Sequence, residues 1–246
     1  MLKYSQVIHV KNLEDQAPPK VALSSFEKST LIKAKKFVEE IYATEQITHG
    51  GHGLDHAHRV TGMSSVLGTL EKQPPFLPIL AALLHDVGRT ISSDKRSQDF
   101  LHGQLSREIA SEFITSLEIS KENKILVENA LEDHPFLNEK VRQSYVVKIL
   151  MDADRLDNLG ALGPVKAGSY KWYLPLYRGK PKTSKDDEID SIYGHFAVRM
   201  PQWADMMWTE SGKKIAAQRV KFLNEFSEEF VKEITFMQKS FDQLEI

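Results

Sequence analysis

The chain of 246 residues contains no cysteine. Disulfides and thiolate metal sites are thereby excluded, and any metal ion must be bound by histidine, carboxylate and water. No apolar run approaches the roughly 20 residues needed to cross a bilayer. The segment Met1–Val10 lacks the apolar core of a signal peptide. Formal net charge is only −2, so no bulk attraction to a nucleic acid polymer or an anionic membrane is expected. Repeats and low-complexity tracts are missing, and strand-period alternation is nearly so. These absences leave a cytoplasmic, all-α globular protein as the expectation. The length suits one large domain or two small ones.

Histidine, by contrast, is concentrated. Seven of the nine histidines (His49, His52, His56, His58, His85, His102 and His134) fall between residues 49 and 134. One or two would pass as ordinary surface or core residues, but a cluster around the doublet His85-Asp86 does not. That doublet closes the apolar run Ala81-Ala82-Leu83-Leu84. Burying two polar ligand-type residues there is costly unless something compensates them, and a divalent cation is the simplest compensation. His56 upstream and Asp154 downstream offer matching ligands, each on an expected helix.

Residues 1–20 read as an N-terminal arm, with a short extended piece at Val7–Val10 and Pro18-Pro19 at its close. Residues 21–246 read as one domain. Ser24-x-x-Glu27 has the form of a capping box. Leu31, Ala34, Phe37, Val38, Ile41 and Tyr42 then make a helical stripe. A flexible loop at His49–Gly53 precedes a helix from near Asp55, its expected N-cap, to about Leu70. The next helix opens at Pro78, carries the doublet and stops at Gly88. A polar loop from about Arg89 to Leu101 follows. Further helices are expected over Gly103–Leu117, Lys121–Glu132 and Val141–Leu159, with Gly160, Gly163 and Pro164 ending the last. Residues 164–195 read as loop with short helical pieces, and 178–190 as a mobile or inserted loop. A long final helix, capped by Thr209, presents Val220, Leu223, Phe226, Phe230, Ile234 and Met237 and packs back on the domain. Met206-Met207-Trp208 reads as an exposed patch that favours a dimer; monomer and homodimer both stay open.

On a helix, His56, Arg59 and Val60 share a face, while His58 turns to solvent. Arg59 can order a carboxylate or bind a phosphate. His52 precedes the helix and faces either the site or solvent. Asp154, Asp157 and Asn158 fall on one face late in an apolar helix. Carboxylates so close repel one another without a cation, and the helix dipole disfavours acid at a C-terminus. His102 and His134 stand at helix ends, as caps or surface residues when taken singly. Beside an ion they could bind a substrate phosphate or a second metal.

Three blocks, His56-Ala57-His58-Arg59-Val60, His85-Asp86 and Ala153-Asp154-Arg155-Leu156, together resemble the HD-domain phosphohydrolase superfamily. The chain looks most like its compact bacterial single-domain subgroup. That likeness extends through Asp152–Gly163 and from Met207-Trp208-Thr209 by way of Lys213 and Arg219 to Phe230. The resemblance implies an all-α HD-domain helical bundle with the long C-terminal helix packed on it. It implies hydrolysis of a nucleotide or another small phosphoester or phosphoanhydride by a metal-activated water. His56, His85, Asp86 and Asp154 match the family's metal ligands. One divalent ion is expected, with Mn, Fe, Ni, Co, Zn and Mg all compatible; some of the subgroup are similar to manganese-using nucleoside-triphosphate pyrophosphohydrolases. The Gly-Tyr-Pro signature of two-metal relatives is replaced by Val87-Gly88-Arg89, and His134 stands without a histidine neighbour in Asp133-His134-Pro135. The (p)ppGpp hydrolases share the Ala-Asp-Arg-Leu block, but their Glu-Asp pair after the doublet is lacking here.

On this reading Asp86, Asp157 and Arg59 are the catalytic candidates. Asp86 ligates the ion and is also a candidate acceptor for the proton of the attacking water, and Asp157 orients that water or a ligand. His52, Arg89, His102, His134, Asn158 and Lys166 are candidates for binding substrate. Tyr170, Trp172, Tyr173, Tyr177 and Tyr193 either stack on a base or pack a loop. The alternative is a metal- or nucleotide-binding regulatory protein with an inactive HD site.

Overall fold

The computed structural model describes residues 13–43, 51–90, 95–135, 142–179 and 189–244. Every regular element among them is helical. Expectations for Val7–Val10, for His49 and for most of Lys180–Asp190 lie outside the described residues. No helix among the described residues is long and apolar enough to cross a membrane.

The order is α1 (Ser25–Ala43), α2 (Leu54–Leu70), α3 (Phe76–Leu84), α4 (Lys95–Ser116), α5 (Lys121–Asp133), α6 (Tyr145–Leu156), α7 (Leu162–Tyr170), a short α8 (Ile192–Gly194) and α9 (Glu210–Asp242). The hub is α3. All nine of its residues, Phe-Leu-Pro-Ile-Leu-Ala-Ala-Leu-Leu, are buried. A helix apolar on every side has no solvent face and must be surrounded; α1, α2, α5 and α6 surround it. Each large side chain so buried contributes roughly 1.5–3 kcal/mol of transfer free energy.

Capping residues set several of the starts. Ser24 and Glu27 form the expected reciprocal box, with Ser24 N donating to Glu27 Oε2 at 2.7 Å and Glu27 N to Ser24 Oγ at 3.2 Å. Thr209 caps α9 by accepting from Gly212 N at 3.0 Å. The N-cap of α2 is Gly53, with Asp55 in the first turn. Ser144 caps α6, accepting from Val147 N at 3.2 Å, so this helix starts four residues later than expected. Helix α4 starts eight residues earlier than expected, because its first turns are polar but rich in Lys, Arg, Gln and Leu, all good helix formers. Pro164 sits in the first turn of α7 rather than ending α6; the backbone there needs no donor.

The long helix packs less fully than expected. Leu223 and Ser227 are buried, whereas Met237, Phe241 and Leu244 are each more than half exposed. The expected Met206-Met207-Trp208 patch is corrected: Met207 is 5 % exposed and belongs to the core, with Trp208 packed against it. The case for a dimer from that patch therefore falls.

Candidate metal centre

Three helix C-termini meet near one point. His85 is the C-cap of α3, His134 the C-cap of α5, and Asp154 lies in the last turn of α6. Each C-terminus carries partial negative charge, so their meeting favours a cation. The first turn of α2 brings His56 to the same point.

The imidazoles are oriented from behind. His85 Nδ1 donates to Ala82 O at 2.8 Å and His134 Nδ1 to Leu131 O at 2.7 Å, each across three residues of its own helix. His56 Nδ1 lies 2.7 Å from Asp157 Oδ2. A proton fixed on Nδ1 leaves Nε2 facing the centre as an acceptor. His85 Nε2 and His56 Nε2 are 3.2 Å apart. Asp86 Oδ2 lies 3.1 Å from His52 Nδ1, 3.5 Å from His56 Nε2 and 3.6 Å from His85 Nε2. Asp154 Oδ1 lies 3.2 Å from His56 Nε2. It is buried, yet has no hydrogen-bond partner among the described residues. A buried carboxylate oxygen without a hydrogen bond, 3.2 Å from an imidazole nitrogen, fits a metal ligand. His56, His85 and Asp154 place ligand atoms within 4.8 Å of one another, as do His52, His56 and Asp86, and His85, Asp86 and His134.

The electrostatics agree with a cation site. Burial and Lys166 both oppose charge on His56, but the carboxylates of Asp154, Asp157 and Asp86 overcome them and push its pKa up to about 10. Without a metal, a proton on His56 is thus the local counter-charge. Burial pulls His85 down to about 4 and, with Arg89 beside it, His52 down to about 3. Burial alone would raise Asp86 and Asp154. Arg89 and His85 instead hold Asp86 well below the carboxylate range, and His56 does the same for Asp154.

The other expected site residues divide into two groups. Arg59 is tied to Asp157 through Nε at 2.7 Å and Nη2 at 3.0 Å, and to Asp55 at 2.5 Å. Lys166 Nζ donates to Asp157 Oδ2 at 2.9 Å. Asn158 Nδ2 donates to Asp154 O at 3.0 Å. These three brace the α6 end rather than pointing at the centre. Asp157 lies behind His56, so of its two expected roles the geometry favours orienting a ligand. Arg89, His102 and His134 stand on the other side of Asp86. Arg89 Nε donates to Asp86 Oδ1 at 2.9 Å, and its Nη2 lies 3.1 Å from His102 Nε2. His58 is exposed, as expected.

Two further features had no signal as site residues in the sequence: the carbonyls of Ala82 and Leu131, and Ser106, whose Oγ accepts from Gly88 N at 2.8 Å. A Cβ on Gly88 would lie 2.4 Å from His102 O and Ser106 N, so only glycine lets the doublet's turn touch α4. Of the aromatic candidates, Tyr170 reaches the site, its ring 5.7 Å from that of His52. Tyr177 and Tyr193 pack against each other and Phe230.

Residues 53–159 match the model of the HD domain family. Over 204 residues the chain is 26 % identical to the uncharacterized protein YpgQ of Bacillus subtilis, covering 81 % of this chain and 91 % of that protein. The structure of YpgQ in complex with ADP superposes with a TM-score of 0.61 at 24 % identity, over 85 % of this chain and 96 % of that one. A Bacillus thuringiensis structure described as an HD-superfamily hydrolase gives a TM-score of 0.65 at 25 % identity, over 85 % and 98 % of the two chains.

Proposed function

The chain belongs to the HD-domain superfamily, and from that premise we propose that it is a metal-dependent phosphohydrolase acting on a nucleotide or another small phosphoester or phosphoanhydride. The observation that carries this reading is Asp154 Oδ1, a buried oxygen without a hydrogen bond among the described residues that faces His56 Nε2 at 3.2 Å beside His85 and Asp86. Those four side chains would hold one divalent ion, and an all-nitrogen-and-oxygen set suits manganese among others. Such an ion, when bound, supplies Lewis acidity and a water of lowered pKa.

The chain's own groups do the rest. Asp157 holds His56 in its ligating tautomer, while Arg59 and Lys166 hold Asp157. Asp86 stays ionised, as a ligand must; a carboxyl held so low is a weak base, which favours its ligand role over its role as proton acceptor. Arg89, His102 and His134 form a cluster beside Asp86 on the side away from His56, and the guanidinium N–H donors of Arg89 suit the charge that develops on phosphoryl oxygens. Tyr170 offers a ring beside His52 on which a base could stack. The ADP bound by YpgQ supports a nucleotide as substrate.

The test is hydrolysis of a panel of nucleoside triphosphates, deoxynucleoside triphosphates, monophosphates and cyclic dinucleotides with Mn added, with phosphate and pyrophosphate scored separately. Metal-dependent release from any class supports the reading, and the product identifies the bond cleaved. A metal-loaded protein inert on this panel and on generic phosphoesters contradicts it.

A further inference from the structure

Asp86 faces two groups of ligand atoms. Its Oδ2 faces His52, His56 and His85. Its Oδ1 lies 3.6 Å from His102 Nε2 and 3.6 Å from His134 Nε2, which are themselves 3.0 Å apart. The acceptor character of the second group follows from its neighbours. His134 Nδ1 faces a carbonyl, which only accepts, so in the neutral ring its Nε2 carries the lone pair. His102 Nε2 faces the Arg89 guanidinium, which only donates, so it accepts as well. Asp86 Oδ1, His102 Nε2 and His134 Nε2 are therefore three acceptors converging at ligand spacing. The guanidinium of Arg89 contacts two of the three and is itself buried, 8 % exposed.

We propose that Arg89 is a built-in second cation: its guanidinium takes the place between Asp86 Oδ1 and His102 Nε2 where a second metal ion would bind, and so holds the centre to one ion per chain. The inference rests on the reading of His56, His85, Asp86 and Asp154 as holders of the first ion. A fixed guanidinium differs from an ion in two ways. It donates hydrogen bonds in a set plane, and it does not dissociate. The packing holds it there: Arg89 follows Gly88, whose lack of a side chain lets the turn Val87–Thr90 lie against the α4 backbone that carries His102.

The experiment is Mn stoichiometry at saturation, by equilibrium dialysis with elemental analysis, with the electron paramagnetic resonance spectrum of the same samples. The wild-type chain is expected to take one ion and give an isolated Mn(II) spectrum. Arg89→Ala should take two and give the exchange-coupled spectrum of a metal pair. Arg89→Ala combined with His134→Ala should return to one, and Arg89→Lys, which keeps the charge, should stay at one. A wild-type chain that takes two ions overturns the inference whatever the variants do, while leaving the first site standing. An Arg89→Ala chain of native helix content that still takes one ion also overturns it. A wild-type chain that takes none overturns the metal reading and the inference together.

Discussion

Asp157 Oδ2 lies 2.7 Å from Nδ1 of His56, behind the ring and away from the centre that His56 faces. The same carboxylate receives Arg59 and Lys166. It acts on the candidate metal through His56, by fixing the tautomer and the ring orientation. Asp157→Asn should weaken Mn binding by about 10–100-fold while leaving the fold intact. Isothermal titration on the variant checks this; an unchanged affinity would make Asp157 a purely structural anchor.

Metal uptake should depend on pH in a stated direction. The His56 pKa of about 10 in the metal-free centre lies above the ordinary imidazole value of 6.5. The proton's contribution to metal-free stability is therefore fully present below about 6.5 and is lost as pH rises through about 10. A metal ligand must be deprotonated, so binding displaces that proton. Mn affinity should rise about tenfold per pH unit from near neutrality toward 9, with about one proton released per ion. Titrations in buffers of different ionisation enthalpy count the proton. No release near pH 8 would contradict the assignment of His56 as ligand.

Two glycines with opposite surroundings give opposite predictions. A Cβ on Gly88 would meet α4 backbone at 2.4 Å, whereas one on Gly62, exposed in α2, meets nothing within 4 Å. Gly88→Ala should destabilise by about 1–3 kcal/mol and weaken Mn binding through displacement of the doublet. Gly62→Ala should stabilise by about 0.5–1 kcal/mol with metal binding unchanged. Urea melts of both variants decide, and a tolerated Gly88→Ala would refute the close approach.

Asp152 and Asp154 are two residues apart and should behave differently. Asp152 is buried and accepts from Trp208 N, Thr209 N and Thr209 Oγ1 at 2.9, 2.7 and 2.7 Å, which ties α6 to the start of α9. Asp152→Ala leaves those donors unsatisfied and should cost about 1–3 kcal/mol of stability with Mn affinity retained. Loss of metal binding without loss of stability would reverse the two roles.

The sequence made the chemistry legible to different depths. The nine apolar residues of α3 and the doublet at its end were readable because burial and ligand type are properties of single residues and their neighbours. His56, His85, Asp86 and Asp154 are brought together, as their order and helical faces suggested. The bracing of His56 by Asp157 joins residues 101 positions apart, and nothing local in either segment pairs them. Arg59, Lys166 and Asn158 were readable as polar residues near the site, yet only the fold shows that they face Asp157 and the α6 backbone. The start of α4 lies outside the expected bounds because its polar first turns carry no apolar period, and Met207 is buried where an exposed patch is expected because a run of three apolar residues does not reveal what covers it.

The most direct test is a paired measurement of bound Mn and phosphate or pyrophosphate release on wild type and Asp154→Ala. Asp154 supplies a buried oxygen that has no hydrogen bond among the described residues and faces His56 Nε2 at 3.2 Å. Stoichiometric metal and turnover are expected in wild type, and loss of both in a variant that keeps its helix content. Wild-type turnover by metal-free Asp154→Ala would contradict the metal-dependent reading.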